Sequence, residues 1–112
     1  MAAEFRLKCH PPYFEAIAQD VKRWEIRIND RYYSAGSVLT LMEYDPGRPQ
    51  WGPIEERKAV DNRFTGRAVR VIVERVWPAG DLPGRPFTTT SWVVLDIKRV
   101  SEIFELPERD RT

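Results

Sequence analysis

The chain has 112 residues, a mass of 13.1 kDa and a formal net charge of +1, and this length predicts a single domain over residues 1–112. Its 42% hydrophobic and 31% charged residues are typical of a globular protein, and no apolar run reaches the roughly 20 residues of a membrane helix. Cys9 and His10 are its single cysteine and histidine, which excludes a disulfide framework and the usual zinc sites. Since the first ten residues show no apolar signal segment, we expect a cytoplasmic protein with no membrane partner.

The first half of the sequence predicts three strands and one helix. Phe5–Cys9 alternates apolar and basic residues, the period of a half-buried strand. Two prolines then suit the start of a helix, and the apolar spacing that follows predicts a short amphipathic helix over 12–20. The period returns to two over Arg23–Ile28, and after two turns Val38–Tyr44 is the third strand.

The second half predicts more strands, separated by two long loops. Prolines, glycines and scattered charges indicate a loop over 45–62 and another over 78–90. Val69–Val76 and Trp92–Ile97 are rich in β-branched residues and are predicted strands, and 101–106 is a helical turn or an edge strand. The pattern therefore predicts an α+β fold, a small mixed β-barrel with one early helix packed against it.

The strand Arg23–Ile28 separates apolar from charged residues. Trp24 and Ile26 face one way, and we expect Trp24, like Trp92, to lie in the core. Glu25 and Arg27 share the opposite face. A carboxylate can accept a hydrogen bond from the amine of a base, and a guanidinium can bind a phosphate or a base edge. The alternative is an exposed ion pair worth about 0–1 kcal/mol.

Basic residues concentrate in two segments, 22–31 and 63–75. Arginine outnumbers lysine fourteen to four, and arginine suits bidentate contacts with phosphate, although a GC-rich genome explains the same excess. A solvated sheet face is the alternative for 63–75, and an ordinary turn is the alternative for 29–31. The candidate binding residues are Lys22, Glu25, Arg27, Asn29, Arg31, Arg63 and Arg67.

Aromatic residues also lie in or next to the predicted loops: Tyr32, Tyr33, Trp51 and Trp77. Such side chains can stack on splayed bases. The closure of a small barrel needs large apolar side chains, and it explains at least two of the four without any ligand.

Five segments of the chain stand in the order of a known pattern. It runs from a Leu-Lys strand and an aromatic helix through Lys-x-x-Glu-x-Arg, an Asn-Asp-Arg turn and a Thr-Gly-Arg strand to a β-branched terminal strand. The segments are LKCHPPYFEAI (7–17), KRWEIRINDR (22–31), AGSVLTLMEYD (35–45), RFTGRAVRVIV (63–73) and SWVVLDI (91–97). In this pattern the chain resembles a small family of the ASCH superfamily, the DUF3850-like proteins, whose fold is similar to the PUA domain.

The resemblance implies a barrel-like sheet with the helix at one side and a cleft beside the Lys-x-x-Glu-x-Arg strand. In ASCH proteins this cleft is the proposed site for RNA or a nucleoside. Two positions depart from the pattern: Asp20 stands where a glycine is expected two residues before Lys22, and Ser37 stands where an acid is expected after Gly36. Both are turn positions, so we expect the fold to be kept.

We therefore expect a nucleic-acid-binding module whose partner is RNA or a nucleoside or nucleotide ligand, without a cofactor or a metal. Catalysis is the less favoured hypothesis. Some ASCH proteins are amidohydrolases of acylated cytidine, in which a lysine works with a threonine three residues later. Here Lys22 matches that lysine and Glu25 replaces the threonine, so an amidohydrolase or a ribonuclease would use this pair. A third hypothesis is a small protein-binding inhibitor of phage or bacterial origin that uses the loop 45–62.

Overall fold

The computed structural model describes residues 3–28, 31–48, 63–78 and 92–111. These ranges are mostly sheet with one short α-helix. The elements are β1 (Glu4–Cys9), α1 (Pro11–Ala18), β2 (Trp24–Ile28), β3 (Val38–Tyr44), β4 (Phe64–Pro78), β5 (Trp92–Arg99), β6 (Phe104–Glu105) and a 3-10 helix (Glu108–Asp110). No helix in the described part of the chain is long and apolar enough to cross a membrane.

The strands of these ranges form one mixed sheet. Its order is β1-β3-β4-β5-β2, and β6 pairs with the first half of β4. β1 and β3 are parallel, whereas the other pairs are antiparallel. The sheet curls into a half-barrel, which leaves β1 and β2 as its two edges. The predicted barrel-like α+β fold is confirmed in this form.

The long strand β4 connects the two halves of the curled sheet. It pairs with β3 as far as Ile72 and with β5 from Val71 onwards. Its pairing with β5 is irregular between Val73 and Arg75, and such bulges bend a strand and increase its twist. The sequence predicted only Val69–Val76, since a glycine and several polar residues interrupt the pattern before it.

The main core fills the inner side of the curl. It consists of alternate residues of the strands together with the buried side of α1, among them Phe14, Ile17, Leu39, Leu41, Val69, Val71, Val73, Leu95 and Ile97. Cys9 belongs to this core, on the buried side of the strand whose alternation predicted one buried face. The prediction that Trp24 and Trp92 lie in the core is wrong, because 47% and 41% of their surfaces are exposed on the outer side of the sheet.

The helix α1 ends at Ala18, earlier than predicted. Asp20 takes a left-handed conformation with φ +61°, and its N–H donates to the carbonyl of Ile17 while the N–H of Val21 donates to that of Ala16. These two hydrogen bonds form a Schellman motif, which terminates a helix. Val21, the next residue, lies beyond the helix and is 75% exposed.

The predicted loops are described only at their ends. Residues 46–48 form a turn after β3, and Pro78 is the last residue of β4. The remainder, 49–62 and 79–90, lies outside the described residues, as does Trp51. The hypothesis of a partner-binding loop at 45–62 therefore stays a prediction.

Candidate functional site

The two edge strands, β1 and β2, lie close enough for side chains to bridge the gap between them. Arg27 Nη2 donates a hydrogen bond of 2.7 Å to the backbone carbonyl of Lys8. Arg31 Nη1, just beyond β2, donates one of 3.2 Å to the carbonyl of Arg6. Arginines from one end of the sheet therefore hold the backbone of the other end. We name the space along this gap the edge groove.

The edge groove consists of two adjoining cavities of about 460 and 330 Å³, whose walls share Lys8, Ile26 and Arg27. The net charge of the whole chain is only +1, yet lysines and arginines outnumber carboxylates five to one in the described walls of the groove. The cationic residues are Arg6, Lys8, Lys22, Arg27 and Arg31, and the carboxylate is Glu25. The described walls are therefore rich in cationic residues. Two of these also have contacts beyond the walls: Arg6 Nη1 donates to the carbonyl of Asp110 at 2.9 Å, and Lys8 Nζ lies 4.5 Å from the Tyr44 ring centroid.

Glu25 is the buried centre of this arrangement, with 5% of its surface exposed. Its Oε1 accepts a hydrogen bond of 2.7 Å from Lys22 Nζ, and its Oε2 accepts one of 3.0 Å from Arg27 Nε. A buried carboxylate is tolerated only when it is paired and hydrogen-bonded, and here each oxygen has a cationic donor. Glu25 therefore positions two cations of the groove while its own charge is compensated.

The two faces of β2 are reversed relative to the prediction. Glu25 and Arg27 face the inside, whereas 47% of Trp24 and 38% of Ile26 are exposed outside. The reason is that β2 is an edge strand whose inner face borders the groove, where charged residues find partners. The alternative of an exposed Glu25–Arg27 pair is wrong for the same reason, although the pair itself exists.

Lys22 is held by aromatic rings as well as by Glu25. Its Nζ lies 4.5 Å from the ring centroid of Tyr13 and 4.7 Å from that of Trp24, and the faces of such rings attract cations. Only 15% of the lysine side chain is exposed. Lys22 is thus a fixed cation at the end of the groove next to α1.

Cys9 lies in the wall of the smaller cavity, beside Lys22 and Glu25. Burial, and after it the negative charge of Glu25, raises the pKa of the Cys9 thiol to about 12. A nucleophilic cysteine is a thiolate with a lowered pKa, so Cys9 is a packing residue. In the described ranges, no three histidine, cysteine, aspartate or glutamate side chains come together as a metal site.

Arg63 and Arg67, predicted from the second basic segment, do not line the edge groove. Arg67 Nη2 lies 2.7 Å from Glu15 Oε1, and its Nη1 lies 3.4 Å from Glu43 Oε2. The hydrogen bond to Glu15 raises the pKa of the Arg67 guanidinium, and the charge of Glu43 adds to this rise. The Arg63 guanidinium packs 5.4 Å from the centre of the Tyr44 ring. Arg67 is therefore paired outside the groove walls, whereas Arg63 packs on the Tyr44 ring, over which Lys8 Nζ also lies at 4.5 Å.

Sequence reasoning found part of the groove and missed its other wall. Asn29 lies outside the described residues. Arg6 and Lys8 were missed: their alternation with Leu7 marks them as the outward side of β1, but nothing in the sequence shows that β1 is an edge facing β2. The predicted residues that the structure does bring together are Lys22, Glu25, Arg27 and Arg31.

A family model described as a domain of unknown function, DUF3850, matches residues 5–97. The chain belongs to the DUF3850 family. The matched span runs from β1 into β5 and includes both walls of the edge groove. No curated protein matches this DUF3850 member.

Two turn positions of this DUF3850 protein have residues that depart from the expected pattern, and the structure shows how each is accommodated. Asp20 adopts the left-handed conformation that favours glycine. Ser37 is wholly buried, and its Oγ accepts a hydrogen bond of 3.1 Å from the N–H of Ser34. A hydroxyl here accepts the kind of turn hydrogen bond that an acidic side chain accepts, so the turn before β3 is kept.

Proposed function

We propose that this DUF3850 protein binds RNA in the edge groove. The observation that carries the proposal is the composition of the walls, which contain five cationic residues and one carboxylate, Glu25, that is already paired with Lys22 and Arg27. Phosphate contacts supply much of the affinity of nucleic-acid binding, and lysine and arginine make many of them. The groove therefore offers a path for a phosphodiester backbone.

The arginines keep binding capacity after their structural contacts are counted. A guanidinium has five N–H donors. Arg27 uses Nε for Glu25 and Nη2 for the carbonyl of Lys8, and exposed Arg31 uses Nη1 for the carbonyl of Arg6. These hydrogen bonds fix the side chains at the groove and leave further donors on each for phosphate oxygens.

The choice of RNA rests on the family resemblance. The Lys22-x-x-Glu25-x-Arg27 motif and the order of the segments around it resemble ASCH proteins with a PUA-like fold, in which the matching cleft is the proposed site for RNA or a nucleoside. We infer the PUA-like fold and the ASCH relationship of this chain from the same resemblance.

A matched pair of charge variants tests the proposal. Arg31→Gln removes a cation from the groove, and Arg109→Gln removes one from the exposed 3-10 helix, outside the groove walls. Fluorescence polarisation would measure binding to single-stranded RNA, an RNA hairpin, single-stranded DNA and duplex DNA at low and moderate salt. We expect the wild type to bind the RNA ligands more tightly than the DNA ligands. Arg31→Gln should weaken RNA binding several-fold, and Arg109→Gln should leave it near the wild-type affinity. Absence of RNA binding, or equal weakening by both variants, contradicts the proposal.

One contact favours a second function, hydrolysis of an acylated nucleoside. Lys22 Nζ and Glu25 Oε1, 2.7 Å apart, lie in the wall of the 330 Å³ cavity together with Tyr13 and Trp24. A positioned lysine and carboxylate can move protons, and the rings offer a surface for a base. Turnover of an N-acylated cytidine by the wild type, lost in Lys22→Gln, supports this activity. Absence of turnover by the wild type rules it out for that substrate class.

A further inference from the structure

The outer face of the sheet beside the edge groove carries a cluster of exposed apolar side chains. β2, β5 and the end of β4 lie side by side here, and Ile26, Val94 and Trp77 form one row across them. Ile28 and Trp92 form a second row. We name this surface the tryptophan face; its apolar members are Trp24, Ile26, Ile28, Trp77, Trp92 and Val94.

The three tryptophans of the described ranges all lie on this face. Trp24, Trp77 and Trp92 are 47%, 40% and 41% exposed. Single exposed apolar residues are ordinary, but a continuous apolar patch on a protein surface marks an interaction site. The position of this patch is also informative, because Trp24 and Trp92 line the edge groove as well.

The charges around the face indicate which kind of partner covers it. Lys22 Nζ lies 4.7 Å from the Trp24 ring, and the Arg75 guanidinium lies 4.9 Å from the Trp77 ring. Asp96, the acid among these side chains, accepts a hydrogen bond of 2.9 Å from Trp77 Nε1. Flat π surfaces with cations over them and a cationic groove alongside complement a polyanion that carries aromatic rings. This is the chemistry of a nucleic-acid strand with accessible bases.

The spacing of the rings favours unpaired bases. By strand register, Trp92 lies opposite Ile28, four residues from Trp24, which separates these two tryptophans by roughly 14 Å. Trp77 lies opposite Val94, two residues from Trp92, which gives roughly 8 Å. Bases of a duplex strand follow one another at about 3.4 Å and stay stacked. Bases on separate tryptophans must therefore leave their own stack, as those of single-stranded RNA can.

We propose that the tryptophan face is a stacking platform for unpaired bases of a single-stranded RNA whose backbone follows the edge groove. This inference rests on the proposed function and specifies the class of RNA. Trp24 and Trp92, which belong to both surfaces, are the central stacking residues.

Leucine variants test this platform, because they keep an apolar side chain and remove the ring. Trp24→Leu and Trp92→Leu would be compared with the wild type and with Ile103→Ala, an exposed apolar residue outside both surfaces. The ligands are a labelled 12-nucleotide oligouridylate and a 12-base-pair RNA duplex. We expect the wild type to prefer the single strand and each leucine variant to weaken its binding by about 5- to 100-fold. Trp92→Phe should keep most of the affinity, and Ile103→Ala should keep all of it.

The failure of this inference is distinguishable from that of the proposed function. If both leucine variants bind the oligouridylate as the wild type does, with salt-sensitive affinity, the platform is wrong and the groove proposal stands. If the wild type binds no RNA at all, both fail. Self-association of the wild type that the leucine variants abolish, without loss of RNA binding, assigns the face to a second copy of the chain and overturns the inference. If a variant does not fold, an NMR titration of the wild type with oligouridylate replaces it. A shift of the indole N–H signals of Trp24 and Trp92 supports stacking on these rings, and unchanged signals contradict it.

Discussion

Glu25 combines burial, charge and two cationic partners in one side chain. Its carboxylate accepts hydrogen bonds from Lys22 and Arg27 at 2.7 and 3.0 Å, and 7% of the side chain is exposed. The partners depend on it in turn, because neither cation is fully solvated. The groove therefore needs Glu25 for its stability, even though a negative charge does not attract RNA.

We predict that Glu25→Gln lowers the free energy of unfolding by about 1.5–3 kcal/mol, the usual contribution of a hydrogen bond to a charged group. The amide keeps the shape but loses the charge, and its NH₂ group cannot accept a hydrogen bond. Urea denaturation measures the change. Glu102→Gln is the control. The Glu102 side chain is 89% exposed, and its ion pair with Arg99, at 3.5 Å, is longer than those of Glu25. We therefore expect Glu102→Gln to have little effect on the free energy of unfolding. Equal losses in the two variants would show that Glu25 is no more than a surface charge.

The buried thiol of Cys9 makes a pH-dependent contribution to stability. Burial raises its pKa from 9.0 to about 12, so between these values the unfolded chain binds fewer protons than the folded one. Stability is therefore unaffected below about pH 8 and falls as the pH rises above 9, by up to about 1.4 kcal/mol per pH unit. We predict that Cys9→Ala loses part of this alkaline fall. Unfolding free energies of both proteins at pH 8, 9.5 and 10.5 measure the difference, and parallel curves would contradict it.

At the scale of elements, the end of α1 shows how one residue controls a boundary. Asp20 occupies the position after the helix cap with φ +61°, where a side chain other than glycine is strained. We predict that Asp20→Gly raises the free energy of unfolding by up to about 1 kcal/mol. Gln19→Gly is the matched control: at φ −87° no strain is relieved, so the added freedom of the unfolded chain should lower stability. Stabilisation by both variants, measured in urea, would contradict this account.

The sequence predicted elements where local chemistry decides them. β3 runs over Val38–Tyr44 as predicted, because a turn precedes this apolar run and a proline follows it. The predicted end of α1 was too late, because an aspartate in the sequence does not indicate a left-handed conformation as a glycine does. The segment at 101–106 was left open between a helical turn and a strand, and it contains the two-residue strand Phe104–Glu105.

The orientation of β2 could not be predicted, because alternation shows two faces without showing which one is inside. An apolar face normally packs against the core, and this reasoning placed Trp24 there. Only the topology, with β2 at the edge opposite β1, reveals an inner face that borders charged partners. Arg6 and Lys8 were missed for the same reason: without the topology, the sequence does not show that β1 lies opposite β2, a strand distant from it in sequence.

At the scale of the whole molecule, an almost neutral chain separates its charges. The net charge is +1, yet the described walls of the edge groove contain five lysines and arginines and one carboxylate. Lys22 and Arg27 share the charge of Glu25, and Arg6 pairs with Asp110; outside the groove, Arg67 pairs with Glu15 and Glu43. Long-range attraction to a polyanion is therefore small, and binding depends on direct contacts in the groove.

The salt dependence of RNA binding should report the number of those contacts. For a single-stranded nucleic acid, each phosphate contact makes the slope of log K against log salt concentration more negative by about 0.7. Three to five contacts in the groove predict a slope of about −2 to −3.5. Polarisation titrations with the 12-nucleotide oligouridylate between 50 and 200 mM salt measure it, and Arg31→Gln should make it less steep by about one contact. A slope near zero would show that phosphate contacts do not hold the RNA.

The most direct test of the central claim locates the bound RNA on the protein. In an NMR titration of the 15N-labelled wild type with oligouridylate, we predict that the amide signals that shift most belong to β1 at Arg6–Lys8, to Lys22–Ile28 and to Arg31. Signals of Glu102 and Ile103, which lie outside the groove walls, should stay in place. Shifts that concentrate away from the gap between β1 and β2, or no shifts at millimolar RNA, would contradict the assignment of the edge groove as the RNA site.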